Sequence, residues 1–396
     1  MPIESAKAQR QQQQQQFYLF VCSHSFLIGL FPFFLPVYLY QQGLSMAYIS
    51  FFIATSALAF SIGLYLWDVV KTQLRPTQLL AFCYALELLM VLSVVYGGPK
   101  IVDDSFFAYI IAVTYGIYQC FFWTTQRALF VQRSTDKNTG NQYGNFQIFV
   151  VISLKSGIFI SGLLLDNQNI YILFILSLLT IICGFIAVLA LPGELDWPFL
   201  KWPVVSFNAV ITFKDKYRSK QIFAVDGFFL FIESFFWLLS LFLILKQSFM
   251  LLGMIIIAIT ITLTIIFLVL KSKIDQLPEQ LIYSLSIIGY GLSWVLRANL
   301  NEQLSVPYQF IFLCAIAFLT AFFRLAFNKR FYDLAVHYPH TPYILMKSYY
   351  SQITLIITFT VLGCVFLSLD VFSSLNIGYW LAALVTPVYF IYRARI

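Results

Sequence analysis

The stretch IFAVDGFFLFIESFFWLLSLFLIL, Ile222–Leu245, decides the class of this protein. Its only charged residues are Asp226 and Glu233, and nearly all the others are aliphatic or aromatic. A helix rises about 1.5 Å per residue, so a run of this length crosses the roughly 30 Å hydrocarbon layer of a bilayer. A strand of a membrane barrel would instead alternate apolar and polar residues over about ten positions, and this run does not. It predicts a membrane-spanning helix, the seventh in chain order, over 221–245.

The same pattern recurs on both sides. Helices 1 to 6 are expected at 17–40, 46–67, 76–97, 105–127, 145–165 and 168–192. Helices 8 to 12 are expected at 248–270, 280–298, 306–327, 343–368 and 374–392. Composition agrees: of 396 residues, 60% are hydrophobic and 10% charged, against about 25% charged in soluble domains. The fold class is therefore an all-α integral membrane protein, with 12 transmembrane helices forming two six-helix bundles. Residues 17–192 make the first bundle and 221–396 the second, joined by the polar stretch 193–220. Residues 1–16 end in the glutamine run Gln11–Gln16 and read as a disordered cytoplasmic tail, not as a cleaved signal sequence.

Orientation follows from the bases. With the N-terminus inside, the 24 lysines and arginines fall overwhelmingly in cytoplasmic loops and tails, the linker 193–220 among them. Only Lys100, Lys246 and Arg297 fall outside, and Lys155 lies within helix 5. The net charge of +7 is thus a topology signal and not a nucleic-acid footprint. Both termini are expected in the cytoplasm of a cell whose inner membrane holds the chain as a monomer. A faint repeat supports the division into halves. Phe121-Phe122 precede Asp166 much as Phe322-Phe323 precede Asp370, as parallel repeats about an axis along the membrane normal would give.

Several chemistries are excluded. The six cysteines lie inside apolar runs without metal-type spacing, and His337 and His340 flank a proline-broken loop, so neither a metal nor another cofactor is expected. The sequence has no phosphate-binding G-x-x-x-x-G-K-[ST] loop and no soluble catalytic domain, so neither an ATP-driven pump nor an enzyme is expected.

A charge at the bilayer centre costs at least about 2.5–3.5 kcal/mol on insertion scales, so it needs a partner or a wet cavity. Glu87, Lys155, Asp226 and Glu233 are such charges, and His24 is a fifth titratable group. Asp226 and Glu233 are seven residues apart and share a helix face. These five are candidates for moving or holding a proton. The alternative for Glu233 is a fixed ion pair with Lys155 or another base. Arg324 and Lys347 are expected near cytoplasmic helix ends, where they can snorkel. Tyr115, Gln119, Phe122, Trp123 and Gln126 recur at helical spacing along helix 4, and Trp237 lies beside the acidic face of helix 7. Gly157 and Ser161 form a small-residue pair suited to close helix packing.

The run Pro32-Phe33-Phe34-Leu35-Pro36-Val37-Tyr38-Leu39-Tyr40, followed by Gly43-Leu44-Ser45, resembles the first helix and outer loop of the major facilitator superfamily. It is most similar to that of the proton-linked symporters for sugars, nucleosides and aromatic acids. Asn138-Thr139-Gly140 and Tyr143-Gly144 resemble the glycine-bearing approach to helix 5 in those proteins. The family signature between helices 2 and 3 is degenerate here: Gly63, Asp68, Lys71 and Arg75 have the residue types but not the spacing. The helix 4 arginine and the helix 5 glycine-proline motif of drug antiporters are absent. The resemblance implies that helices 1, 4, 7 and 10 line a central cavity, with helix 3 peripheral. The aromatic and amide residues of helix 4, with Trp237, would then contact the solute, and Gly63, Asp68, Lys71 and Arg75 would gate. The expected partners are the bilayer, a small organic solute and protons. The expected function is proton-coupled uptake by alternating access. Efflux, or a scramblase or sensor on the same fold, is the alternative.

Overall fold

A computed structural model describes residues 2–133, 139–167, 169–190, 198–215, 217–274, 278–301, 303–304, 306–337 and 340–393. Among them there are helices and turns and no strands. Eleven helices are long and apolar enough to cross a membrane, and a further one is apolar over Phe249–Ile265. Helices suit this environment because each satisfies its own backbone hydrogen bonds where no water is available.

The first bundle comprises α1 (Pro2–Leu30), α2 (Met46–Gln73), α3 (Pro76–Gly97), α4 (Phe106–Arg133), α5 (Thr139–Asp166) and α6 (Ile170–Leu189). The second comprises α7 (Ser219–Phe231), which runs through a π-turn at Ile232–Phe236 into Trp237–Ile244, and then α8 (Phe249–Ile274) and α9 (Glu279–Asn299). It ends with α10 (Val306–His337), α11 (His340–Phe366) and α12 (Val371–Val385), the last continuing as a 3-10 helix to Arg393. Proline punctuates α1: a 3-10 turn at Pro32–Phe34 separates it from an outer segment, Leu35–Gln41, because proline cannot supply the backbone donor a continuous helix needs. Gly43 then takes a φ of 88° in the turn to α2, a left-handed conformation open to glycine at little cost.

The described backbone is helical from Pro2, as proline in the first turn followed by alanine, arginine and glutamine favours. One expectation is corrected. Helix 10 continues ten residues beyond its expected end, from 327 to His337. Arg324 therefore lies well inside the helix.

Packing repeats between the halves. In the first, α5 packs on α1, α3 on α4, α3 on α6 and α2 on α4; in the second, α11 packs on α7, α9 on α10, α9 on α12 and α8 on α10. The halves meet along two equivalent seams, α2 with α11 and α5 with α8. This is the approximate two-fold relation that the paired phenylalanines and aspartates suggested. Close approach rests on small residues. Gly29 of α1 and Gly157 of α5 face each other so closely that a Cβ on either would collide with the other's helix backbone, and the Ser161 hydroxyl donates to the Leu30 carbonyl.

Candidate functional site

The charged centre of the second half is built around Arg324 of α10. Its Nη1 lies 2.5 Å from Asp226 Oδ1 and its Nε lies 2.9 Å from Glu233 Oε2. Both acids come from α7, so the shared face read from their spacing converges on one guanidinium. The planar fork of arginine suits such double engagement. Tyr290 of α9 donates to the other Glu233 oxygen, and Tyr389 donates to Asp226 over 3.0 Å. Lys347 of α11 stands 3.8 Å from Asp226 Oδ2. Two carboxylates thus face two bases and the cluster is neutral. The members differ in access: the side chain of Asp226 is 1% exposed, and those of Glu233 and Arg324 are 17% and 18% exposed. Glu233 sits in the π-turn of α7, a local widening found often where a helix re-aims a functional side chain.

Arg324 and Lys347 are therefore not snorkelling bases at helix ends. Arg324 is drawn inward because α10 is longer than expected, and Lys347 because Asp226 lies across from it. The base that meets Glu233 is Arg324, not Lys155. Lys155 is half-buried near the middle of its span and makes no ion pair or hydrogen bond among the described residues. Arg297 is likewise not an outer-loop base. It is buried between the rings of Trp294 and Trp237, at 4.2 and 4.9 Å, and donates to Ser293 and Thr320 over 2.8 Å each. Trp237 is turned towards this arginine.

The first half holds a second polar centre. His24 Nδ1 of α1 lies 2.6 Å from Glu87 Oε2 of α3, and Tyr118 of α4 donates to Glu87 Oε1 over 2.7 Å. Both His24 and Glu87 are fully buried. The His24 ring stacks on Tyr84 at 4.2 Å and contacts Phe122 at 4.8 Å. Phe122 is thus turned into its own bundle and not towards the solute path expected for it, because the imidazole and Phe20 offer it an aromatic pocket. Its repeat partner Phe323 does the same in the second half, stacked on Tyr290 at 4.1 Å.

The rest of helix 4 divides. Gln119, Trp123 and Arg127, spaced by four, are only partly buried, and the Trp123 indole donates to the Gln119 carbonyl oxygen. Arg127 reaches across to the Ser348 hydroxyl of α11 over 2.9 Å. Tyr115 joins Phe52 and Phe235 in a ring cluster that spans the two halves. Gln126 is buried.

The degenerate signature also takes shape. Asp68 and Lys71 form a buried pair at 2.5 Å, and the Asp68 Oδ2 accepts the Val205 amide of the linker over 2.7 Å. Gly63 faces Cys120 of α4, and Arg75 is exposed at the start of α3. The acid of this motif therefore fastens the linker beneath the first bundle. At the opposite membrane face, Asp166 at the end of α5 accepts from the Ser248 hydroxyl and the Phe249 amide, each over 2.7 Å, tying α5 to α8. Asn138 lies outside the described residues, and of Thr139, Gly140, Tyr143, Gly144, His337 and His340 only the backbone is described. Among the described residues no group of three or more metal-ligating side chains occurs.

No protein-family model matches the sequence, and no curated protein matches it. Solved structures do. A crystal structure of nucleoside transporter NupG aligns with a TM-score of 0.67 at 14% identity, over 98% of this chain and 100% of that one. A structure of a mutant of the same transporter aligns with a TM-score of 0.66, also at 14% identity, over 95% and 97% of the two chains. At that identity the likeness is one of fold, and the chain has the twelve-helix, two-bundle fold of NupG, the architecture implied by its resemblance to the major facilitator superfamily.

Proposed function

We propose that the protein is a secondary transporter that takes up a small organic solute together with protons, its two bundles rocking about a site near the bilayer midplane. The observation that carries this reading is Arg324 held between two carboxylates of one helix, one sealed and one partly exposed. Protonating Glu233 removes its charge and weakens its bond to the Arg324 Nε, while Asp226, with Tyr389 and Lys347, keeps hold of the guanidinium. A proton on Glu233 thereby changes what Arg324 can offer a solute and leaves the set with one net positive charge, Arg324 and Lys347 sharing Asp226. The seams α2–α11 and α5–α8 are the surfaces along which the halves would move. Termini and linker lie on the cytoplasmic side in this reading, which the distribution of bases supports. The fold likeness to NupG makes nucleosides reasonable members of a first solute panel.

The test is flux into proteoliposomes of a labelled panel of nucleosides, sugars and organic acids, with and without an inward proton gradient. Accumulation of one solute above its equilibrium level, abolished by a protonophore, is the expected result. Gradient-independent lipid flipping with no solute flux would overturn the reading in favour of a scramblase.

A further inference from the structure

A buried charge near the membrane midplane needs a counter-charge or water, and the charged groups of this chain's interior differ in how they meet that need. Asp226 and Glu233 are both engaged by Arg324, with Lys347 completing a neutral set. Glu87 is engaged by His24 and Tyr118. Asp68 is engaged by Lys71 and the linker. Arg297 has no carboxylate but is covered by two indole rings and two hydroxyls. Lys155 has none of these. It lies eight residues into the α5 span Ile148–Asp166 and is only half-buried, with no ion pair, hydrogen bond or ring contact among the described residues.

Its place on α5 shows what it faces. Gly162, seven residues on and so nearly in line with it, packs against the Phe249 backbone of α8. Ile158, one turn on, packs against Gly253 of α8. Lys155 therefore lies on the line of α5 that closes against the other half further out, one to two turns deeper than the closed part of that seam. This places Lys155 on the side of α5 that meets α8. The acids of the neutral set already have bases, so Lys155, like Arg297, has no carboxylate among the described residues, and unlike Arg297 it has no ring or hydroxyl to cover it either.

We propose that Lys155 is the binding point for an anionic oxygen group, a carboxylate or a phosphate, on the solute. The inference rests on the transporter reading and makes it more specific: the solute supplies the counter-charge that the chain omits. A loaded carrier is then neutral at this point, and an empty one has an exposed ammonium that favours rebinding.

The test uses purified full-length protein in nanodiscs, with thermal stability read against titrated probes. Phenylacetate is paired with phenylacetamide for the carboxylate arm, and uridine 5′-monophosphate with uridine for the phosphate arm, each extended to further members of its class. At least one anion should raise the Tm where its neutral partner does not. Lys155→Gln should weaken that binding about tenfold or more, the worth of one charge-assisted hydrogen bond, and Lys155→Arg should restore most of it. Because Lys155 has no partner among the described residues, Lys155→Gln should not lower the Tm of the unliganded protein, which separates lost binding from lost folding. Equal response to anions and neutral partners, or anion binding that survives Lys155→Gln unchanged, would overturn the inference. Uphill flux of a neutral solute that is indifferent to Lys155→Gln would leave the transporter reading standing and remove this one. Anion binding through Lys155 with no flux of any kind would do the reverse.

Discussion

In the first half, His24, Glu87 and Tyr118 join α1, α3 and α4; in the second, Glu233, Tyr290 and Arg324 join α7, α9 and α10, the equivalent helices. Each centre has an aromatic residue of the repeat beside it, Phe122 or Phe323. The two differ in access and in charge count. His24 and Glu87 are fully buried, a single acid beside a single imidazole. Glu233 and Arg324 are partly open, and a second acid shares the arginine. A sealed pair can hold helices together but has no route for exchanging a proton with water. An open pair backed by a second carboxylate can lose one partner and keep the other. In the proposed reading, the duplicated scaffold carries one centre for cohesion and one for exchange.

The largest expected effect comes from removing the shared base. Arg324→Met leaves Asp226 with Lys347 and Tyr389 and leaves Glu233 with Tyr290 but no ion-pair partner among the described residues, and breaking a buried pair in this way costs about 3–5 kcal/mol. Unfolding in detergent should show that loss together with loss of flux, and Arg324→Lys should recover part of the stability but not the double engagement. A fully stable Arg324→Met variant would mean that the arginine does not hold the acids, and the comparison would fail.

The sealed centre should respond differently. Glu87→Gln keeps an acceptor for Tyr118 and removes the charge beside His24, at a cost of about 1–3 kcal/mol. Stability should fall while the pH dependence of flux stays where it was. A pH profile displaced by Glu87→Gln would make the two centres alike in role.

The smallest effect concerns the repeat pair Asp166 and Asp370. Asp166 ties α5 to α8 across the halves, whereas Asp370 caps only the next helix of its own half, accepting from the Phe372 and Ser373 amides over 3.0 and 3.1 Å. Hydrogen bonds from the Ser373 hydroxyl and from the Ser373 and Phe372 amides hold the Asp370 carboxyl below the usual carboxylate range. Its contribution to stability is thus present above the unfolded value of about 3.9 and lost as pH falls through the lower folded value. Asp370→Asn should remove a slight acid-side dependence of Tm and change nothing at neutral pH beyond a small loss of capping. An effect at neutral pH as large as that of Asp166→Asn would contradict the difference in their roles.

The helices were legible because runs of apolar residues long enough for a bilayer have few other readings, and α3 has the bounds its hydropathy predicts, 76–97. The acids of α7 were legible because a charge inside such a run is costly and conspicuous. Their partner was not. Arg324 lies near Lys329 and Arg330, and this cluster of bases reads as a helix end when α10 in fact continues to His337. Tyr290 and Tyr389 could not be picked out among 24 tyrosines, since only the fold brings them to Glu233 and Asp226. Phe122 has the spacing of a pathway residue, and only the position of the His24 ring shows it turned away. The π-turn at Ile232–Phe236 leaves no mark in the residue pattern.

The central claim is that Glu233 exchanges the coupled proton while Asp226 keeps Arg324 in place. The most direct measurement compares Glu233→Gln with the parent in proteoliposomes, reading solute exchange at equal pH and uphill accumulation under a proton gradient. The substitution keeps the shape of the side chain and most of its hydrogen bonding but cannot titrate. The account predicts that exchange persists and accumulation is lost. A stable Glu233→Gln protein that still accumulates solute, with unchanged pH dependence, would contradict it.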